Sequence, residues 1–220
     1  MPSQSSLAET PFFNFSHPSI QILLAKLDAE TQLGKVLQAY KLIRDGISYN
    51  PYTFSEGEEA LKASYASSHD SAYCIPKSAL MVAVCRALGI PAKMGFADVK
   101  NHLSSPKLLA WLKTDLFVMH GYAQLYIDDK WVKCTPVFNK ALCDKMGIKP
   151  LEFDGTQDSI FHPFTADGQA HMQYVTDHGT FDEMPVEMIF EASRKTYPHI
   201  DLLDKSILKQ HQGGLEADLS

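Results

Sequence analysis

The chain has 220 residues, 45% of them hydrophobic and 21% charged, with a formal net charge of −6 at pH 7. This composition is typical of a single globular domain with a sizeable core, and the acidic balance argues against a nucleic-acid-binding surface. The N-terminus has neither a basic nor an apolar signal region, and no apolar run is long enough to span a membrane. Because the four cysteines fit no CxxC pattern, we expect free thiols and a cytoplasmic location.

The first part of the chain is predicted to be mainly helical. Residues 1–30 read as an aromatic arm followed by one helix. Residues 31–45 have the spacing of an amphipathic helix, with Thr31 in position to cap its N-terminus. A shorter helix fits residues 55–62, and the small polar residues of 64–73 predict a loop.

The next segment predicts a helix that is buried on every side. From Ala79 to Leu88 only Arg86 is charged, and the apolar residues go all round the helical period. Pro76 suits the first turn of this helix, which places Cys74 at its N-terminus. Because the free N–H groups and positive dipole end there favour an anion, we expect the pKa of the Cys74 thiol to be lowered.

The strongest strand signal follows the buried helix. Residues 90–99 predict one strand, and the aromatic and branched residues of 116–127 predict a second. The dipeptide Asp128-Asp129 predicts a two-residue turn into a return strand over 130–136. With this register, residue 120 lies opposite residue 137, and residue 122 lies opposite residue 135.

The remainder combines short helices with a long connection. A helix is expected over residues 139–146, and a long ordered surface loop over 149–179. Helical patches follow at 185–194 and about 200–210, and the last ten residues are expected to fray. The whole is an α+β domain in which a central buried helix packs on an antiparallel β-sheet. We divide it into an N-terminal arm and helix (1–30), a core (31–148) and a C-terminal segment of loop and helices packed on that core (149–220).

Two motifs place a thiol and an imidazole in a recognisable arrangement. Cys74 begins the buried helix, and His120 lies at the mouth of the hairpin. In such a layout a thiolate and an imidazolium stabilise each other. The segments Ala72–Lys93 and His120–Pro136 together resemble the transglutaminase-like superfamily, whose members have a papain-like core. The resemblance covers roughly residues 31–138.

The resemblance implies a catalytic cysteine and histidine at Cys74 and His120. The aspartate that orients the histidine in this family falls here on Thr135, which can accept a hydrogen bond but carries no charge. Asn139, just past the strand, is a second candidate for that role. Loss of this charge costs about 10⁴ in kcat in a serine triad, although a cysteine nucleophile needs less help to ionise.

The function implied is cysteine-dependent acyl transfer on amide bonds, with a peptide or another amide-containing molecule as partner. Hydrolysis is favoured over cross-linking because nothing in the sequence suggests a site for a second amine. The alternative is a catalytically inactive member of the superfamily that binds peptides or another partner, and the missing aspartate is its best support. No nucleic-acid or membrane partner is expected, and the sequence does not indicate an oligomeric state.

The long loop at 149–179 supplies candidates for substrate binding. We assign this role to Phe153, Asp154 and His162, together with Tyr122, which stands where the family usually has a tryptophan. Histidines and aspartates in the loop match no compact ligand spacing, so no metal site is predicted. No cofactor is expected.

Overall fold

The computed structural model describes residues 2–161, 171–201, 203–211 and 213–219. The first part of the chain is mostly helical and ends in one long helix, as predicted. Its elements, in order, are a 3₁₀ helix at Gln4–Leu7, α1 (Pro18–Leu24), α2 (Gln32–Gly46), β1 (Ser48–Tyr49), a 3₁₀ helix at Pro51–Leu61, α3 (Ala63–Ser68), β2 (Ser71–Ala72) and α4 (Cys74–Ala87).

The second part contains the main sheet and shorter helices that pack beside it. Its elements are β3 (Ala92–Asn101), α5 (Pro106–Leu112), β4 (Leu116–Ile127), β5 (Lys130–Cys134), α6 (Lys140–Met146), β6 (Met172–Phe181), α7 (Val186–Thr196), α8 (Ser206–Gln210) and α9 (Gly214–Asp218).

Helix α4 is the centre of the fold. Every residue from Cys74 to Arg86 is buried, as the apolar residues on all sides of the helix predicted. The helix contacts α2 and α3 on one side and strands β3 and β4 on the other. The expectation of a central buried helix on a sheet is therefore confirmed.

The main sheet has the strand order β5-β4-β3-β6, and all of its neighbours are antiparallel. Strands β4 and β5 form the predicted hairpin. Asp128 and Asp129 both have positive φ values, 48° and 62°, which a type I′ turn requires. The pairing of Ala123 with Cys134 confirms the predicted register. The fold is thus α+β, with a central buried helix packed on an antiparallel β-sheet.

Two predicted loops contain regular structure. Residues 64–73 hold most of α3 and all of β2, which pairs in parallel with β1 beside the start of α4. Residues 149–179 hold most of β6, which pairs with β3. Strand β6 lies at the edge of the sheet and is mostly exposed or half-buried, so its few apolar residues are interrupted by polar ones and do not form the continuous run that marks an inner strand.

The helices in the described ranges are all too short, or too polar, to cross a membrane. The division into 1–30, 31–148 and 149–220 stays a prediction.

Candidate functional site

Cys74 is the first residue of α4, as predicted. Tyr73, in extended conformation, precedes it as the N-cap. Other elements cover the start of this helix, and Cys74 is only 8% exposed. Burial raises the pKa of the Cys74 thiol to about 11, although the backbone N–H groups of Gly121, Ile75 and Cys74 itself act to lower it. The expected lowering of this pKa is therefore wrong for this structure, because loss of water outweighs the helix N-terminus.

Strand β4 brings His120 to the same region. Gly121, the next residue, allows the strand to approach α4, because a Cβ there would lie 2.5 Å from Met94 Cε and 3.2 Å from Ile75 Cα. The carbonyl of Gly121 also accepts a hydrogen bond from Ser78 Oγ at 3.0 Å. This contact fixes β4 against the first turns of α4, one residue beyond His120.

The His120 ring is buried and held in the neutral state. It is 4% exposed, and burial lowers its pKa to about 4. Among the residues that the structure describes, its Nε2 has no hydrogen-bond partner. The Phe161 ring lies against it, with the ring centroids 5.7 Å apart. A neutral imidazole with an unused nitrogen is suited to accept a proton.

Cys74 and His120 line one pocket of about 60 Å³. Its other walls come from β1, the 3₁₀ helix Pro51–Leu61, α5, the start of β4, α7 and Tyr197. They include Tyr49, Trp111 and Ile189. The described residues that line this pocket carry no carboxylate, ammonium or guanidinium group. The thiol and the imidazole thus share a largely apolar space, which accounts for the pKa of each.

Thr135 and Asn139 lie in different surroundings. The β4–β5 register, continued by one residue, places Thr135 opposite Tyr122 and diagonal to His120. Thr135 is 1% exposed, and its Oγ1 has no hydrogen-bond partner within the described ranges. In contrast, Asn139 accepts a hydrogen bond from Tyr49 N through Oδ1 and donates one to Glu216 through Nδ2.

Tyr122 and Phe153, two of the residues assigned to substrate binding, do not line the pocket. The Tyr122 ring lies over Gly95 instead, and its hydroxyl is 3.4 Å from Asp177 Oδ1. Phe153 packs on the Tyr40 ring, with centroids 5.4 Å apart.

The other two residues assigned to substrate binding are Asp154, which does not line the pocket, and His162. Asp154 is exposed and accepts hydrogen bonds from Thr156 and Gln157 in a turn. His162 lies outside the described residues. Within those residues, no cluster of three His, Cys, Asp or Glu side chains could hold a metal ion.

Three further residues support the site and were not predicted. Asp98 accepts a hydrogen bond from the backbone N–H of Met119, next to His120, at 2.9 Å. His178 Nε2 lies 2.8 Å from the same oxygen of Asp98. The hydroxyl of Tyr197 accepts a hydrogen bond from Val118 N at 3.0 Å. A carboxylate between the apolar residues Ala97 and Val99 was the signal that could have drawn attention to Asp98.

None of the curated proteins matches the chain. Among solved structures, the chain is similar to a crystal structure from Cytophaga hutchinsonii described as a "putative cysteine protease", with 15% sequence identity and a TM-score of 0.45. The match covers 81% of this chain and 56% of that one, so the chain spans little more than half of that protein's length.

A comparison with protein families matches residues 23–136 to the transglutaminase-like superfamily. These residues run from α1 through α4 to the end of the β4–β5 hairpin, and they include Cys74 and His120. Because the match extends over more than half of the chain, the protein belongs to the transglutaminase-like superfamily.

Proposed function

We propose that the protein is a cysteine-dependent enzyme that transfers the acyl group of an amide, with Cys74 as nucleophile and His120 as general base and acid. Membership of the superfamily supports a cysteine-dependent enzyme in general. The observation that carries the finer proposal is that Cys74 and His120 line one buried pocket at the N-terminus of α4. Hydrolysis is favoured over transamidation, since no second site for an amine is evident around that pocket.

The reaction begins from an uncharged pair, because burial favours the neutral thiol and the neutral imidazole. As the Cys74 sulfur attacks the amide carbon, its proton passes to His120 and the carbonyl oxygen becomes an oxyanion. In this proposal the backbone N–H of Cys74, at the start of α4, stabilises that oxyanion. Activation thus occurs during attack and does not require a preformed ion pair.

The second half of the reaction returns the enzyme to its starting state. The His120 imidazolium gives its proton to the leaving nitrogen, the C–N bond breaks, and a thioester remains on Cys74. A water molecule, deprotonated by His120, then attacks the thioester carbon. The C–S bond breaks, the product leaves as a carboxylic acid, and the thiol recovers its proton. No cofactor takes part.

Thr135 is the better candidate for the residue that orients His120. Its hydroxyl is buried and makes no hydrogen bond to His120 or to any other described residue, and it lies diagonal to His120 across the hairpin. Both polar atoms of the Asn139 amide are instead engaged by Tyr49 and Glu216. A neutral hydroxyl can orient a neutral imidazole, but it adds no charge to stabilise the imidazolium.

The pocket favours a peptide or other amide whose groups next to the reacting carbonyl are neutral and apolar. The wall contains aromatic and aliphatic side chains, and a charged group there would lose its hydration without gaining a partner. Tyr122, Phe153 and Asp154 do not line this pocket, so we do not assign them to binding the groups next to the reacting carbonyl.

The test is labelling with a tagged peptidyl acyloxymethyl ketone that carries an apolar residue next to the electrophile, followed by mass spectrometry. We expect covalent labelling at Cys74, complete loss in Cys74→Ala, and a rate at least about 100-fold lower in His120→Ala. Cys143→Ala is the matched control, because Cys143 is a buried thiol of α6 outside the pocket. Labelling at another cysteine, or at none, would contradict the proposal.

Two observations favour a second candidate function, a catalytically inactive module that binds peptides. Thr135 takes the place of the family aspartate, and the raised pKa of the Cys74 thiol keeps it protonated at neutral pH. That function predicts peptide binding that is equal in the native protein and in Cys74→Ala, without a covalent intermediate. Calorimetry with an apolar peptide, run beside the labelling experiment, separates the two candidates.

A further inference from the structure

Strand β4 carries an extra residue immediately before His120. The register between β3 and β4 is given by the pairs Ala97–His120 and Val99–Phe117. Asp98 therefore faces two residues of β4, Val118 and Met119, which is the arrangement of a β-bulge. Bulges redirect the side chains beside them, and here the neighbouring side chain is the proposed general base.

The backbone of this bulge is strained. Met119 has φ 54°, in the left-handed region that residues with a Cβ rarely adopt. A bulge also removes backbone N–H groups from the regular ladder, and Met119 is 1% exposed. Such a conformation persists only where surrounding groups hold it.

Two side chains satisfy the N–H groups that the bulge redirects. The carboxylate of Asp98 accepts the hydrogen bond from Met119 N at 2.9 Å. The hydroxyl of Tyr197 accepts the hydrogen bond from Val118 N at 3.0 Å, and it donates its own proton to Leu116 O at 2.9 Å. Both residues of the bulge are thus held by side chains from other parts of the chain.

Strand β6 holds the Asp98 carboxylate from the other side. The register between β3 and β6 also shifts here, as shown by the pairs Phe96–Gly179 and Ala97–Asp177. The shift leaves His178 as the extra residue of β6. Its Nε2 lies 2.8 Å from Asp98 Oδ1, the same oxygen that accepts the Met119 hydrogen bond. The irregularities of β4 and β6 therefore meet at one carboxylate.

We propose that Asp98 is a positioning residue for His120, which it holds in the pocket by clamping the β4 bulge together with Tyr197, while His178 fixes the Asp98 carboxylate. This inference rests on the proposed function, in which His120 is the base. Without the clamp, Met119 loses the partner of a buried N–H, and the strained backbone loses its support. A shift of β4 by one residue would then turn His120 to the opposite face of the sheet.

The decisive comparison is between Asp98→Ala and Asp98→Asn. Asparagine keeps an oxygen that can accept the Met119 hydrogen bond, and alanine does not. We expect Asp98→Ala to lower the maximal rate of Cys74 labelling by the peptidyl acyloxymethyl ketone at least tenfold, with little change in the probe concentration that gives half of that rate, and Asp98→Asn to stay within about threefold of the native rate. Asp115→Ala is the control, since that carboxylate pairs with Lys100 at the surface of the same sheet.

A second readout follows the His120 ring directly by NMR of the protein with labelled histidine. In the native protein the pKa of His120 is lowered by burial to about 4. In Asp98→Ala the ring leaves the pocket, and we expect its pKa to rise by at least about one unit toward the ordinary value. If Asp98→Ala does not fold, Tyr197→Phe tests the same clamp, with a smaller change in the same direction.

The two readouts keep the inference separate from the function on which it rests. If the native protein shows no reaction at Cys74, the proposed function fails, and the His120 titration still decides the role of Asp98. A native His120 titration in a folded Asp98→Ala or Tyr197→Phe protein overturns the positioning role, whatever the rate. A changed titration with asparagine as well as with alanine overturns the clamp, because asparagine keeps the acceptor.

Discussion

The pocket at the N-terminus of α4 and the surroundings of Arg86 near its C-terminus differ in how their buried polar groups are satisfied. Around its N-terminus, the Tyr73 hydroxyl, His120 Nε2 and Thr135 Oγ1 are buried without a hydrogen-bond partner among the described residues. Near its C-terminus, Arg86 is 3% exposed, and all three nitrogens of its guanidinium donate hydrogen bonds. It donates four hydrogen bonds of 2.7 to 3.0 Å to the backbone carbonyls of Ala8, Ala92 and Asp182.

This difference separates a structural polar group from a functional one. Burial lowers the pKa of Arg86 to about 10, so it stays charged at neutral pH, and it lies over the Phe13 ring at 4.5 Å. Its bonds tie the N-terminal arm and the end of β6 to the central helix. Buried polar groups in folded proteins are usually satisfied in this way. The pocket at the N-terminus of α4 instead has buried polar atoms, Tyr73 Oη and His120 Nε2, without a hydrogen-bond partner among the described residues.

The largest effect is expected for a variant that loses the Arg86 hydrogen bonds. Arg86→Met takes away all four hydrogen bonds and leaves three carbonyl oxygens without this donor. We expect the free energy of unfolding to fall by about 4 kcal/mol, measured by urea denaturation. The control is Arg194→Met, at an exposed position of α7, with an expected change within about 0.5 kcal/mol. A loss below about 1 kcal/mol in Arg86→Met would contradict the comparison.

The sequence was sufficient to predict the elements on which α4 and the hairpin depend. Their signals are local: apolar residues on every side of Ala79–Leu88, and two aspartates that fit a tight turn. From these signals the burial of α4, its start at Cys74 and the register of the hairpin all follow. The placement of Cys74 and His120 along one pocket then depends only on how helix and sheet pack.

The chemistry of the pair could not be predicted in the same way. The helix N-terminus is a local feature of sequence, and it favours a thiolate at Cys74. Burial is set by α5, α7 and the start of β4, which are distant in the chain, and it reverses the sign of the shift in pKa. The role of Asp98 was hidden for a related reason, because it depends on where two neighbouring strands lose their register.

The second expected effect is a pH dependence of the free energy of unfolding that comes from His120. The pKa of His120 is about 4 in the folded protein against an ordinary value of 6.5. A group whose pKa is lowered by folding adds stability that is present above the unfolded pKa and is lost as the pH falls toward the folded one. Between pH 6.5 and 4, His120 should therefore account for a loss of about 3 kcal/mol in the free energy of unfolding.

His120→Gln isolates this contribution. Other groups titrate alike in both proteins, so the difference in their free energies of unfolding should change by about 3 kcal/mol from pH 7 to pH 4. Urea denaturation at a series of pH values measures it. Parallel curves for the two proteins would show that the imidazole is not held neutral by burial.

The smallest effect is expected for a variant that puts a negative charge near His120. In Thr135→Asp a carboxylate would lie diagonal to His120 across the hairpin, in place of a hydroxyl without a partner. An anion there stabilises the imidazolium and raises the pKa of His120, which makes the ring a stronger base toward the Cys74 thiol. We expect the rate of Cys74 labelling at pH 7 to rise about tenfold, equivalent to about 1.4 kcal/mol in the barrier. Thr135→Asn, which has nearly the same shape and no charge, should show no such gain. Equal rates in the two variants would mean that charge at this position does not act on His120.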